Sequence, residues 1–159
     1  MLTLRPFEKR DEAAAVAILR HERVKPTYML PDMTEQEART MFDHLCKLSH
    51  RDDRFVRGVY LDDTLIGWIN DTQLADTEIE LGWVIAPEHW NCGYATRAVG
   101  MALELLREAG FGLVYAGAFA ENIASIRVMQ KAGMHLLDKT EQLEYRGQTH
   151  HCVYYGIYL

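Results

Sequence analysis

Cysteine is scarce in this chain. Cys46, Cys92 and Cys152 are its three thiols, an odd set without paired spacing. That excludes a disulfide scaffold and points to reduced thiols in a cytoplasmic setting. Long apolar runs are missing too. None approaches the ~18 residues of a membrane helix, so no membrane partner is expected. The opening residues MLTLRPFEKRDE lack the apolar stretch of a secretory signal. Positive charge is in deficit, with 17 Lys and Arg against 23 Asp and Glu and a net charge of −6. Nucleic acid, which needs a basic face, is therefore not an expected partner. A cationic substrate such as an amine suits this balance. There is no repeat, no low-complexity segment and no Pro/Gly/Ser linker, so 1–159 reads as a single domain. His44, Cys46 and His50 share one helical region, and His150-His151-Cys152 are consecutive. Neither grouping has zinc-ligand spacing, so no metal is expected.

What is present is a mixed order of elements. Leu2 to Arg5 alternates like a strand, and Glu8 to about Arg23 reads as helical. Pro26 and Pro31 bracket a loop. Thr34 followed by Glu37 is a capping box opening a helix to about Leu48. Phe55–Leu61, Thr64–Asn70 and Ile79–Ala86 read as a three-strand meander turning first at Asp62-Asp63. In the third strand Ile79, Leu81, Trp83 and Ile85 share one face, with Glu78, Glu80, Gly82 and Val84 on the other. Gly93 to Ala109 is the clearest helix. Its buried stripe is Ala95, Ala98, Val99, Ala102, Leu106 and Ala109. An apolar strand Leu113–Phe119, a short helix from cap Asn122 to about Ala132, and a hairpin turning at Arg146-Gly147 complete the chain. This order predicts an α+β fold with helices around one mixed sheet.

The segment ELGWVIAPEHWNCGYATRA, Glu80 to Ala98, carries the chemistry. It is a buried strand, a tight polar loop and a helix start. Helix starts have unpaired N–H groups and a partial positive charge, which favours phosphate. Gly93 and Ala95 let the backbone approach it closely. A dinucleotide-binding turn would need three glycines, and a Walker loop would end in Gly-Lys-Ser/Thr. Neither is here.

A second segment, ENIASIRVMQKAGM, Glu121 to Met134, also follows an apolar strand. The two segments together resemble the GNAT superfamily of acyl-CoA-dependent N-acetyltransferases, in its RimJ/RimL-type branch. Trp90-Asn91-Cys92-Gly93-Tyr94-Ala95 corresponds to the family's pyrophosphate loop. Asn122-Ile123-Ala124-Ser125 leading to Lys131-Ala132-Gly133 corresponds to its later helix. Three positions depart. Asn91 stands where the branch has glycine, Cys92 where it has a basic residue, and Met129 where many members place a tyrosine acid.

The resemblance implies a mixed, mostly antiparallel central sheet flanked by helices on both faces. It implies acetyl-CoA as co-substrate, a primary amine as acceptor and no metal; homodimers are common among such enzymes. It places the diphosphate on the amides of Asn91, Cys92, Gly93, Tyr94, Ala95 and Thr96. It lays the pantetheine arm along Trp83, Val84 and Ile85, with an oxyanion on the N–H of Val84 or Ile85, and Asn122 and Ser125 complete the cofactor site. Glu80 is the implied base acting through water, with Glu78 as the alternative. Ser125 is the thiol contact or acid, and Tyr155 and Tyr154 are rival acids. Acceptor choice is expected to reside around Arg23 to Met33 and Gln142 to His150. A non-catalytic acyl-CoA sensor is the competing reading, supported by Met129 and the altered loop.

Overall fold

A computed structural model describes residues 1–159. Seven strands form one sheet in the order β1-β2-β3-β4-β5-β7-β6. They are β1 Leu2–Arg5, β2 Val56–Leu61, β3 Thr64–Leu74, β4 Glu78–Ile85, β5 Leu113–Phe119, β6 His135–Tyr145 and β7 Gln148–Tyr158. Only β4 and β5 pair in parallel. The five helices are α1 Glu12–Leu19, α2 Lys25–Tyr28, α3 Glu35–Ser49, α4 Tyr94–Glu108 and α5 Ile123–Lys131. This is the mixed, mostly antiparallel sheet, flanked by helices on both faces, that the resemblance implies.

Strand alternation builds two cores on opposite faces. Val59, Ile66, Ile79, Leu81 and Ile85 pack with Val99, Leu106 and Met129 beneath α4 and α5. Tyr60, Leu65, Trp68 and Val84 pack with Leu19 and Phe42 beneath α1 and α3. The buried stripe of α4 is Ala98, Val99, Ala102, Leu103 and Leu106. Ala109, expected in that stripe, is the exposed C-cap, because the helix stops one residue earlier.

Local differences from expectation have physical causes. The first helix ends at Leu19, not near Arg23, and Lys25–Tyr28 forms a new helical turn where a loop was expected. Pro26 favours a helix start and is costly in a helix interior. Strand β3 runs four residues past Asn70 because Asp71 is paired rather than exposed. Its buried carboxylate accepts from Arg54 Nε at 2.8 Å and from the Phe55 amide at 2.9 Å. A bulge between Asp71 and Gln73 then re-aims the strand beside β4.

The feature that positions the site is a split in the sheet. The β4–β5 register holds for Glu78↔Leu113, Ile79↔Val114 and Glu80↔Tyr115 and then ends. Strand β4 continues to Ile85 and β5 to Phe119 without pairing each other. Residues Leu81 to Ile85 thus present a free edge inside the sheet.

Candidate active site

At the far end of that edge β4 gives way to the loop before α4. The loop is shaped by two left-handed residues, Asn91 at φ 59° and Gly93 at φ 78°. Asn tolerates this region and Gly adopts it without strain, so the departure at Asn91 leaves the turn intact. Gly93 is the N-cap of α4 and supplies no side-chain acceptor, and the first turn carries no acidic residue. The Tyr94, Ala95 and Thr96 amides precede the first helical bond, which runs from Arg97 N to Gly93 O. Trp90 pins the loop to the strand, its Nε1 donating to the Ile85 carbonyl at 2.6 Å. The Arg23 guanidinium covers the Trp90 ring at 4.7 Å.

A cavity of about 400 Å³ lies against this helix start. Trp83, Val84 and Ile85 line it from β4. Asn91, Gly93, Tyr94, Ala95 and Thr96 line it from the loop and α4, and Asn122 and Ser125 from α5. The structure therefore brings together all but one of the residues assigned to the cofactor. The exception is Cys92, which is exposed and outside the lining. Its Sγ turns back to the Trp90 carbonyl at 3.3 Å, because Asn91 and Gly93 reverse the chain on either side of it. The structure adds two residues that sequence reasoning missed, Arg127 and Lys131. They are four residues apart on α5, one helical face, and give the cavity a cationic wall. That spacing was readable, but which face of α5 meets α4 was not.

The edge of β4 can be read amide by amide. Ala86 N donates to Ile66 O of the β3 side at 2.7 Å. Alternation in an antiparallel pair then turns the Val84 amide to β3 as well, and the Trp83 and Ile85 amides toward the gap. Of the two oxyanion donors expected, Val84 is thereby corrected to a sheet-bonded amide, and Ile85 faces the split.

A second cavity, about 450 Å³, lies on the α2 side of the same split. Thr27, Trp83 and Ser125 line both cavities and form the neck between them. The Ser125 hydroxyl accepts from Asn122 Nδ2 at 3.2 Å, and its amide donates to Asn122 Oδ1 at 3.3 Å. The cap thus fixes the hydroxyl while leaving its own proton free to donate.

Glu80 stands in the wall of this second cavity, at the last paired position of the split. Burial pushes its carboxyl above the ordinary value; the Lys139 ammonium opposes this and Glu141 adds to it. Glu78 is exposed at the start of the strand and does not line the cavity. Tyr155 requires a correction. It packs against the Met129 core on the α4/α5 face, and β7 alternation turns Tyr154 to the Glu80 side instead. Tyr154 donates to Glu141 Oε2 at 2.8 Å, and burial followed by that carboxylate drives its phenol far above the ordinary value. Met129 is fully buried and is a core residue. No group of three or more His, Cys, Asp or Glu converges as a metal site would require.

Comparison with known proteins bears on the family and the fold. The acetyltransferase (GNAT) domain family matches residues 1–135. The N-acetyltransferase YoaA of Bacillus subtilis, itself uncharacterized, is 30% identical over 155 residues, covering 93% of this chain and 87% of the relative. Among solved structures, RimL, a ribosomal-protein alpha-N-acetyltransferase in complex with coenzyme A, superposes with a TM-score of 0.88 at 14% identity. The match covers 99% of this chain and 94% of that one. A spermidine N-acetyltransferase from Vibrio cholerae, with CoA and spermine, gives 0.83 at 19% identity over 99% and 95%. At these identities the two structures speak for the fold.

Proposed function

Because the chain belongs to the GNAT acetyltransferase family, we propose that it transfers an acetyl group from acetyl-CoA to a primary amine by direct attack on the thioester. The observation that carries this reading is the neck at Thr27, Trp83 and Ser125, where a cationic cavity meets one holding a half-buried carboxylate.

The amides of Gly93 to Thr96 fit a diphosphate, with Arg127 and Lys131 neutralising further charge. The free edge of β4 fits the amide-bearing pantetheine arm as an added strand. This sets the thioester at the neck. The amine nitrogen attacks the carbonyl carbon and the C–S bond breaks. The Ile85 or Trp83 amide stabilises the oxyanion. The amine proton passes through water to Glu80, and Ser125 donates a hydrogen bond to the leaving thiolate. A thiolate near pKa ~8.5 needs little more help, which suits a chain whose tyrosine position is occupied by Met129. An alkylamine near ~10.4 is neutral in only about one molecule in 2,500 at pH 7, so the base matters most for such acceptors. The Trp90 to Thr96 loop and the absence of that tyrosine favour the RimJ/RimL-type branch, and residues 1–159 are read as one acyltransferase domain. Two structural neighbours, named for a protein α-amine and for spermidine, both take primary amines.

The test is thiol release from acetyl-CoA across an amine and peptide panel, with acetylated product confirmed by mass. Coenzyme binding without release from any amine would favour a sensor instead. Arg127→Ala and Lys131→Ala are each expected to raise the Kd for CoA about tenfold at low salt, the loss shrinking as salt screens the charge. Equal affinities in calorimetry at low salt would remove these side chains from the site.

A further inference from the structure

The second cavity is chemically lopsided. Of its 18 lining residues Glu80 alone carries charge, and most of the rest are apolar. Its hydroxyls are largely engaged. Thr27 donates to the Val24 carbonyl at 2.7 Å, Tyr154 to Glu141, and Tyr28 to Asn70. The Tyr28 phenol, pushed up to about 12 chiefly by burial, stays protonated. Met29, Leu30, Met41, Phe119 and Leu143 are among its apolar side chains. The Lys139 ammonium that acts on Glu80 lies over the rings of Tyr115 and Tyr154 and outside the lining.

The walls are also clasped together. Tyr145 of the β6–β7 hairpin donates to the Leu30 carbonyl at 2.6 Å. Arg146 donates to Asp32 at 2.9 Å, and Asp32 also receives the Lys25 ammonium at 2.9 Å. The two segments expected to choose the acceptor thus meet, and a polypeptide leaving between them would have to break these bonds.

We propose that the acceptor is a compact apolar monoamine, bound with its single nitrogen at Glu80 and its carbon body against Met41, Phe119 and Leu143. This rests on the acetyl-transfer reading of the same site. One half-buried carboxylate partners one ammonium. A polyamine's second ammonium finds no counter-charge in the lining, and an amino acid's carboxylate finds Glu80 and apolar wall. Either sets a second ion against apolar wall with no partner in the lining.

Two matched pairs test this with the full chain and saturating acetyl-CoA. Hexylamine is expected to exceed hexamethylenediamine, and to exceed 6-aminohexanoate, whose amine is as basic as its own, by about a hundredfold in kcat/KM, the cost of holding one unpaired charge against the apolar wall. Leu143→Glu, which adds a second carboxylate to the half-buried wall, is expected to raise the diamine-to-monoamine ratio at least about tenfold. Turnover in which the diamine or the amino acid equals hexylamine would overturn the inference and leave acetyl transfer standing. Release from no amine, with CoA bound, would overturn both. A short peptide turned over faster than any small amine would assign the cavity to a protein N-terminus and sink the monoamine reading alone.

Discussion

Replacing Glu80 with glutamine is expected to lower kcat/KM for an alkylamine about a hundredfold, to leave CoA affinity unchanged, and to raise the Tm at neutral pH. The first effect is the loss of a positioned base, which contributes about 10²–10⁴ in rate. It is smaller for an acceptor with amine pKa near ~7.8, because more of that amine is already neutral. The second follows from placement, since Glu80 lines the second cavity and not the one against α4. The third is a linkage consequence. Burial raises the folded-state value of Glu80 above the ordinary 4.5, with Lys139 only partly opposing it. A carboxyl raised on folding binds its proton more tightly in the folded state. Its contribution to stability is present below the unfolded value and lost as pH rises through the folded one. The wild type therefore carries a desolvated charge above that window, and the glutamine variant does not. The Tm advantage should shrink as pH falls toward about 4.5. The wild-type pH–rate profile should show a limb from Glu80, displaced upward from the ordinary carboxylate value, that is missing in the variant, which keeps only the limb set by the amine's own titration. Unchanged turnover below pH 7 in the variant would remove Glu80 from the mechanism.

The same residue shows how far a sequence speaks for itself. The alternation of Glu78 to Ile85 placed Glu80 on the polar face, and two-residue periodicity needs no tertiary information. Asn122 and the Thr34/Glu37 box were equally local. Each satisfies amides within its own first turn, and both caps are observed. What failed was relational. Tyr154 and Tyr155 necessarily face opposite sides of β7, but which side meets Glu80 depends on the β5–β7 register, Gly117↔Tyr154 and Ala116↔Tyr155. The same holds for Arg127 and Lys131, whose value depends on α5 lying across the split from α4. The strand expected over Thr64–Asn70 runs on to Leu74, where Asp71 pairs with Arg54, 17 positions earlier, a long-range partner that local pattern does not show. The split between β4 and β5 leaves no mark in composition at all. Both strands are apolar to their ends, and pairing stops at Glu80↔Tyr115 by geometry alone.

Thr96→Glu separates the fold from the cofactor. Thr96 is the third residue of α4 after N-cap Gly93, the position where glutamate reaches back to the N-cap amide. An acidic side chain there also complements the helix dipole by about 0.3–1 kcal/mol. The variant should therefore melt no lower than wild type. Thr96 also lines the cavity against the helix start, so the new carboxylate competes for the amides assigned to the diphosphate and repels it. Two like unit charges about 5 Å apart at an effective dielectric near 20 repel by about 3 kcal/mol, on the order of a hundredfold in affinity. Calorimetric titration with CoA should show that loss, partly recovered at high salt. Thr96→Gln keeps the side-chain length without the charge and should bind CoA within a few-fold of wild type. A drop in Tm with the glutamate would mean the helix start tolerates no such side chain, and binding would then have to be judged from the salt response. Wild-type affinity in a stably folded Thr96→Glu protein would move the diphosphate away from α4, and with it the thioester away from the neck and Glu80.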